Sequence, residues 1–500
     1  MKKYYICFIF FCLLSCSHSG DKELEQALGL SGSNRIELEA VLNHYKNDSL
    51  KLKAACYLIK NMPFHYSKEE HYVSPEGKKY RPNLTLFSGK DQVKQHCDSL
   101  IQCGYGIEQY KLFDITALDS AFLVNNIELA FSVWQKPWAR NVLFSDFCRY
   151  ILPYRTQTEK VSFLRKEIME RFISILDSAK VTTPLEACTL LNEHLKTVIR
   201  YQDTGLPFYP TIEETYCTGL SQCDGICNLG TFIMRAVGIP IAVDFTIWPK
   251  MDLGHSWCTV LDGGRFYSFG PGEDQPDVHA KLFSEVRHRR PAKVYRFRFD
   301  PVNYNKNIED DKYNTFLKSP LLYDVTNEYL DKTVNIKVPI NEDDNIRYEQ
   351  SDQVYLCIYN YYEWKPLAIG CCSNDVCTFD SVVGDNIFII ADCPEGKELR
   401  YITAPFYVNV EGEIHKFIPQ MQHTKKCVLE KQKKNANINH TLFYWDIVEK
   451  RFIPISFMES TDTTQIYDQV PDNALLWFTI PERIFNQRIF FIKNDSIRTY

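Results

Sequence analysis

The sequence predicts an α+β protein: an N-terminal helical region, a central α+β core and C-terminal β-sandwich-like modules. Early in the chain, apolar residues recur at the spacing of an amphipathic helix, at Leu38, Val41, Leu42 and Tyr45. Late in the chain, apolar residues alternate with polar ones as in a half-buried strand, at Val334, Ile336, Val338 and Ile340. Residues 183–300 mix both patterns, which indicates an α+β segment between the two.

The first 16 residues predict export. Two lysines precede Tyr4–Leu14, an apolar run of eleven residues that suits a signal peptide and is too short for a permanent membrane span. The run ends in Leu-Leu-Ser-Cys, which resembles the lipobox of bacterial lipoproteins, whose cysteine, here Cys16, carries the lipid. An ordinary signal peptide that contains cysteines is the alternative. Ser17 in place of Asp favours the outer membrane, by resemblance to the known sorting rule.

The amino-acid composition is that of a globular protein and limits the kinds of partner that the protein could have. The 500 residues are 45% hydrophobic and 24% charged, as in ordinary globular proteins, and the net charge of −6 gives no basic patch for nucleic acid. The residues after Cys16 are enough for about three or four domains. The predicted division is a signal peptide with lipobox at 1–16, a helical region at 17–180, an α+β domain at 181–300, a β-sandwich-like domain at 325–420 and a β module at 438–500.

Cysteine usage is compatible with an exported protein. Of the 18 cysteines, 15 follow Cys16, so at least one is unpaired unless chains are cross-linked. Export permits disulfides, but their connectivity does not follow from sequence. The strongest bridge candidates are Cys371, Cys372 and Cys377. Others lie in apolar helical patterns and are expected to be small buried hydrophobes: Cys56, Cys148 and Cys188.

Aromatic, proline-containing turns separate the predicted N-terminal helices. Trp138, Tyr154 and Arg155 in these turns are expected either to fill the core between helices or to line a cleft. Whether residues 34–180 cover a functional site or form an independent module stays open.

The segment Ser221–Pro240 carries the clearest chemical signal. Ile226, Leu229, Ile233 and Val237 have helical spacing, and Gly238-Ile-Pro240 has the residues that end a helix. Cys223 therefore falls at the helix N-terminus. Unpaired N–H groups and the helix dipole favour a negative charge there, which lowers a thiol pKa and produces a nucleophilic thiolate.

A histidine follows on a predicted β-hairpin. Two strand patterns flank Gly263-Gly264, and His255 lies on the first of them. A cysteine at a helix start that faces a histidine on a neighbouring strand is the general cysteine–histidine nucleophile arrangement.

Together these segments resemble the transglutaminase-like superfamily, which has a papain-type Cys/His core. Cys223 is followed after fifteen residues by Gly238-Ile-Pro240, and His255-Ser256-Trp257 matches the family's H-[AS]-W strand. The resemblance covers roughly residues 185–275. It implies a protein that cleaves amides, transfers acyl groups between amines or binds without catalysis, and it implies no cofactor.

One family position departs from the pattern. The acid that usually orients the histidine falls at Gly270, which the hairpin register sets opposite Trp257. Glu273 or Asp274 could fold back to replace it. Papain-like enzymes use a neutral asparagine in this role, so orientation is the minimum need.

The neighbouring residues have alternative interpretations. Cys223, Cys227, His255 and Cys258 could be a zinc set, but His255 and Cys258 are three apart on a strand and so point to opposite faces. No metal site is therefore expected. Cys227 is predicted to pack in the core. Gln222 and Trp257 are candidates for a cleft wall, although strand tryptophans are often simply buried.

Two functions remain open at this point, beside a purely structural role in the cell envelope. In the first, Cys223 attacks a peptide or amide carbonyl, His255 transfers the proton, and hydrolysis is favoured over transfer to an amine. In the second, the cleft is a non-catalytic scaffold that binds protein or glycan at the cell surface, which Gly270 favours. Expected partners are a peptide or protein substrate or ligand and the membrane through Cys16, but no nucleic acid.

Overall fold

The computed structural model describes residues 18–302, 316–340, 353–393, 398–431, 440–480, 488–493 and 496–500. The signal peptide and Cys16 lie outside these residues and stay predictions. The chain forms two compact units. The first comprises Met1–Val243, Trp257–Pro276 and Phe297–Val302, and the second Asp244–Ser256, Asp277–Arg296 and Asn303–Tyr500.

Helices dominate the first half of the chain. The elements described up to residue 302 are α1 His18–Leu30, α2 Arg35–His44, α3 Ser49–Asn61, β1 Tyr66–Val73, β2 Lys79–Tyr80, α4 Lys90–Gln102, β3 Gly106–Phe113, α5 Asp114–Ala117, α6 Ser120–Trp134, α7 Phe144–Tyr150, α8 Arg165–Ala179, α9 Pro184–Leu195, β4 Arg200–Tyr201, α10 Ile212–Thr218, β5 Leu220–Ser221, α11 Cys223–Ala236, β6 Ile241–Ile247, β7 Gly254–Asp262, β8 Arg265–Phe269, α12 Val278–Glu285 and β9 Tyr295–Phe297.

The early helices form because their apolar faces meet in one hydrophobic cluster. Leu38 of α2, Leu58 of α3 and Ile127 of α6 are all buried there. Caps fix where helices begin. The Asp48 carboxylate accepts the backbone N–H groups of Leu50 and Lys51, and Thr183 forms a capping box before Pro184.

A three-stranded antiparallel sheet of order β2-β1-β3 lies within the region that the sequence indicates as helical. Strand β1 pairs with β3 along its whole length, from Tyr66 opposite Phe113 to Val73 opposite Gly106. The sequence does not indicate this sheet because most β3 side chains are exposed, so β3 lacks the apolar alternation of a half-buried strand.

The aromatic turns of this region fill the core. Trp138, Tyr154 and Arg155 are all buried. The Arg155 guanidinium forms an ion pair with Asp114 at 2.8 Å and donates to the Tyr66 carbonyl, so it holds β1 onto the helices. These three residues therefore fill the core and stabilise the fold, and Trp138 and Tyr154 each also line part of a cavity.

The central sheet has strand order β10-β9-β6-β7-β8, with β10 at Leu322–Asp324. Strands β7 and β8 form the predicted hairpin, with Cys258 opposite Phe269 and Asp262 opposite Arg265. Gly263 and Gly264 both have positive φ, at 58° and 80°, as a two-residue hairpin turn of the primed type requires.

The C-terminal part is β-rich. Its elements are α13 Thr326–Tyr329, β11 Val334–Pro339, β12 Gln353–Asn360, β13 Glu363–Ser373, β14 Val376–Val382, β15 Asn386–Asp392, β16 Arg400–Tyr401, β17 Phe406–Val408, β18 Ile414–Lys416, β19 Gln420–Glu430, β20 Thr441–Asp446, β21 Arg451–Ile455, β22 Glu459–Ser460, β23 Thr464–Asp472, β24 Leu476–Thr479, β25 Ile489–Lys493 and β26 Ser496–Thr499.

These strands form three further sheets. The largest has the order β11-β14-β13-β12-β15-β17-β18, with β16 also paired to β15, and the smaller ones are β19-β23-β22 and β21-β20-β24-β25-β26. The fold is thus α+β with a β-rich C-terminal region, which confirms the predicted fold class. None of the helices in the described residues is both long and apolar enough to cross a membrane.

Two cysteines face each other in the β13–β14 hairpin. Cys372 is directly opposite Cys377, and their Sγ atoms lie 2.7 Å apart. Both are buried. Asn374 and Asp375 between them have positive φ, so the turn is again of the primed type.

Candidate functional site

Cys223 is the first residue of α11, as the sequence predicts. The approach to it is fixed by the backbone. Gly219 ends α10 in the left-handed region at φ 69°, and a Cβ there would lie 2.2 Å from the Val198 carbonyl oxygen. Strand β5 then pairs in parallel with β4, with Tyr201 opposite Ser221. The chain is thereby turned directly into the helix that begins with Cys223.

The exposure of Cys223 separates it from the cysteine one turn further along. Cys223 is half-buried, whereas Cys227 is buried. Burial raises the pKa of the Cys227 thiol, and the contact with Cys258 raises it further. The first backbone N–H groups of a helix have no acceptor within the helix, so they can stabilise a negative charge beside Cys223. Cys223 therefore has a setting for a thiolate that Cys227 lacks.

The inner side of α11 packs closely on the β7–β8 hairpin. The Cys258 Sγ lies 3.6 Å from the Cys227 carbonyl oxygen and 3.3 Å from the Thr231 hydroxyl. Gly230 allows this approach, because a Cβ there would lie 2.6 Å from the Pro271 Cβ. Cys227 and Cys258 thus belong to the core, as predicted for Cys227. The described residues hold no group of three or more His, Cys, Asp or Glu side chains that could bind a metal ion.

Two tyrosines stand near Cys223. Desolvation raises the pKa of the Tyr201 hydroxyl, and negative charge on Cys223, Asp203 and Glu273 raises it further. Desolvation and a hydrogen bond to Asp224 raise the pKa of Tyr209. Both rings are largely exposed. They offer aromatic surface beside the thiol, and the sequence analysis does not identify them.

Gln222 and Trp257, the predicted cleft-wall residues, have different environments. Gln222 is half-buried before Cys223 and donates to the Asp203 carboxylate at 3.4 Å. Trp257 is fully buried. Gln222 therefore borders the thiol, whereas Trp257 contributes core volume.

The turn after β8 brings Glu273 beside Gly270. The backbone N–H groups of Glu273 and Asp274 both donate to the Gly270 carbonyl, at 3.0 and 3.2 Å. A Cβ at residue 270 would lie 2.9 Å from Glu273 Oε2. The Glu273 carboxylate therefore lies where the side chain of a residue-270 acid would begin.

A buried asparagine holds this turn in place. The Asn192 amide donates to the carbonyls of Gly270 and Asp274, at 3.2 and 2.7 Å, and its oxygen accepts the Gly272 N–H at 2.8 Å. Asn192 is fully buried in α9. The turn that carries Glu273 is thus tied to α9 by three hydrogen bonds.

His255 is the second residue of β7 and is half-buried. Its ring stacks on Trp248, with centroids 6.0 Å apart. The loop between β6 and β7 is fixed by Asn360, whose Nδ2 lies 2.8, 2.9 and 2.8 Å from the carbonyl oxygens of Trp248, Met251 and Leu253. Asn360 Oδ1 also accepts the Leu253 N–H at 3.0 Å. One buried amide thus determines the path of the chain into His255.

Comparisons with known proteins add little to this geometry. No protein-family model matches the chain, and no curated protein matches it. Among solved structures, the chain is similar to "a Putative Cysteine Protease from Cytophaga hutchinsonii", with a TM-score of 0.19 and 16% identity over 22% of this chain. The match spans 36% of that protein's chain.

Proposed function

We propose that this protein is a transglutaminase-like cysteine amidase or peptidase of the bacterial cell envelope, with Cys223 as its nucleophile and His255 as its general base and acid. The position of Cys223 carries the proposal. Its half-buried thiol stands at the start of a fourteen-residue helix whose dipole favours a thiolate.

The proposed reaction needs no cofactor. The Cys223 thiolate adds to the carbonyl carbon of a peptide bond while the oxyanion accepts backbone N–H groups at the start of α11. The C–N bond then breaks, and protonated His255 gives its proton to the leaving amine. Water, deprotonated by His255, hydrolyses the thioester and restores the thiol. An amine in place of water would give transamidation, and hydrolysis is the outcome we favour.

We assign Glu273 as the group that orients His255. Its carboxylate lies beside Gly270, the position at which the family carries an acid, and it belongs to a turn held by Asn192. Glu273→Gln should lower activity, while Asp274→Asn should change it little. Equal losses of activity in the two variants would contradict the assignment of Glu273 as the orienting group.

The proposed location is the outer membrane, through a lipid on Cys16. The support is the apolar run that ends in Leu-Leu-Ser-Cys, with Ser17 after it. A Cys16→Ala variant should lose membrane attachment in cell fractionation. Attachment that survives this substitution would contradict a lipid anchor at Cys16.

The test of the proposed site is the alkylation rate of Cys223 as a function of pH, followed by peptide mass spectrometry. Cys217, exposed in the last turn of α10, is an internal reference in the same sample. We expect Cys223 to titrate well below about 8.5, and His255→Ala to move that midpoint upward. Titration of Cys223 together with Cys217 in both proteins would exclude the nucleophile.

The alternative is a non-catalytic scaffold that binds protein or glycan at the cell surface. Gly270 favours it, because glycine cannot orient an imidazole. A Cys223 that reacts as an ordinary thiol, in a protein that still binds a cell-surface peptide or glycan, would favour this alternative.

A further inference from the structure

Two adjoining cavities of the first unit border the start of α11. The larger, of about 470 Å³, is lined by residues 68–71, 79–81, 157–160 and 209–211, and by Asp224 and Asn228 of α11. The smaller, of about 250 Å³, includes Gln222 in its lining. The two share Lys68, Glu70, Tyr209 and Pro210, so they form one channel along the first turns of α11, here called the polar groove.

The N-terminal sheet forms a fixed wall of the polar groove. The Arg81 guanidinium pairs with Glu214 of α10 at 2.5 and 2.6 Å and donates to the carbonyls of Glu70 and Tyr209. It also stacks over the Phe208 ring at 4.5 Å. Arg81 thus ties β1 to Tyr209 and to α10, the helix that precedes α11.

The lining is charged but internally balanced. Lys68 pairs with Glu70 at 2.8 Å, and Lys160 pairs with Glu69 at 3.5 Å. The Glu159 carboxylate accepts the backbone N–H groups of Thr156 and Gln157. Because neither sign dominates, a ligand of one charge would meet repulsion as well as attraction. A hydrophilic ligand that carries both signs fits this lining better than an apolar one.

Three residues that line the larger cavity each hold a buried polar atom without a hydrogen bond within the protein. These atoms are Gln157 Nε2, a donor, Asn228 Oδ1, an acceptor, and His71 Nε2, which lies 3.7 Å from the Glu108 carboxylate. A buried polar atom without a partner costs free energy, so a ligand that supplies one is favoured. A peptide offers both groups, a carbonyl for Gln157 and an N–H for Asn228.

We infer that the polar groove binds the substrate chain on one side of the scissile bond, and that it selects hydrophilic peptides of mixed charge. Asn228 and Gln157 bind the peptide backbone, and the paired charges accept side chains of both signs. This inference rests on the proposed function, because the lining of the groove includes Gln222 and Asp224, the two residues on either side of Cys223.

The experiment measures peptide binding by the full chain carrying Cys223→Ala, so that catalysis cannot consume the ligand. The probe is a fluorescein-labelled, C-terminally amidated peptide Gly-Lys-Glu-Gly-Lys-Glu, and its comparator has leucine at the four charged positions. We expect the charged peptide to bind roughly tenfold more tightly than the comparator, as measured by fluorescence anisotropy. Asn228→Ala or Gln157→Ala should each weaken binding of the charged peptide roughly tenfold. Asn47→Ala, at an exposed site of the same unit, should leave binding unchanged.

A backbone-ester series tests the hydrogen bond itself. Each ester in the probe removes one backbone N–H of the peptide. At the position whose N–H binds Asn228, the ester should weaken binding to the Cys223→Ala protein. The same ester should not weaken binding to the protein that carries both Cys223→Ala and Asn228→Ala. The inference would be overturned if the charged and apolar peptides bound equally well. It would also be overturned if neither Asn228→Ala nor Gln157→Ala changed the affinity for the charged peptide.

The outcomes separate this inference from the proposed catalysis. An inert Cys223 together with Asn228-dependent peptide binding would reject the catalytic function and support the groove. A reactive Cys223 in a protein without preference for the charged peptide would reject the groove and leave the nucleophile. Melting temperatures of each variant show whether a loss of binding comes from unfolding.

Discussion

The two sides of α11 meet different environments. Asp224 and Asn228 on the outer side line the polar groove, whereas Cys227 and Gly230 on the inner side pack against Cys258 and Pro271. Cys223 lies on the same side as Cys227, one turn earlier, but it is half-buried because it stands at the helix start. Histidines repeat the contrast, since His255 is half-buried whereas His65 is buried. Access to water and the neighbouring charges, more than residue type, therefore set the chemistry that each side chain can perform.

The largest expected effect of this contrast is on thiol reactivity. In the native protein, iodoacetamide should modify Cys223 roughly 10³-fold faster than Cys227, because burial limits access and disfavours the thiolate of Cys227. Cys223→Ala should remove the fastest-reacting site, and Cys227→Ala should keep it. Time-resolved peptide mass spectrometry measures both rates. Comparable alkylation rates for Cys223 and Cys227 would show that their environments do not control their reactivity.

The second effect is the pH dependence of stability that arises from His65. Burial lowers the pKa of His65 to about 3, and the ring stacks on Phe299 and hydrogen-bonds the Phe299 carbonyl at 2.9 Å. In the unfolded chain this histidine binds a proton below a pH of about 6.5. Its contribution to stability is therefore complete above that pH and falls by about 1.4 kcal/mol per unit as the pH drops towards 3.

Urea unfolding between pH 4 and 7 (the window set by the two pKa values of His65) measures this contribution. Other groups titrate in the same range, so the quantity of interest is the difference between the wild type and His65→Gln. Glutamine keeps a donor for the Phe299 carbonyl and does not titrate. Parallel stability curves for the two proteins would show that His65 is not held neutral.

The sequence predicts those parts of the fold and of the candidate site whose contacting residues are close together along the chain. The start of α11 at Cys223 and the β7–β8 hairpin follow from local patterns of apolar residues and glycine, so both are predicted correctly. The Glu273 turn is anticipated as one of two choices, because it lies near Gly270. The sequence analysis does not identify Tyr201, Tyr209 or the groove wall formed by β1. Their positions depend on packing between segments that are distant along the chain.

Asn360 is a further case of a long-range contact that no local pattern signals. It is more than a hundred residues from the loop it fixes before His255. Asn360→Ala should lower stability by about 1–3 kcal/mol, because several buried groups lose a partner. It should also change the pH profile of Cys223 alkylation if that loop positions His255. The matched variant Asn327→Ala, at an exposed site of the same unit, should change neither.

A smaller effect is expected from the packing on the inner side of α11. Gly230→Ala introduces a Cβ that would lie 2.6 Å from the Pro271 Cβ. Overpacking of this kind costs about 1–3 kcal/mol, partly offset by the higher helix propensity of alanine. Asn228→Ala, two residues earlier on the outer side, removes a buried oxygen that has no partner and should not lower stability. Equal losses in urea unfolding would show that the two sides are packed alike.

The smallest effect concerns buried thiols that face each other. Buried cysteines are otherwise inert, but Cys372 and Cys377 are opposite one another with their Sγ atoms 2.7 Å apart. Oxidised glutathione should convert them to a disulfide by two thiol–disulfide exchanges, with two molecules of reduced glutathione released. The bridge closes a very short loop, so it should add no more than about 2 kcal/mol. Cys371, exposed and opposite Thr378, should remain open to alkylation after unfolding without reductant. Alkylation of Cys372 and Cys377 under the same conditions would show that closeness of two thiols in the interior does not suffice for their oxidation.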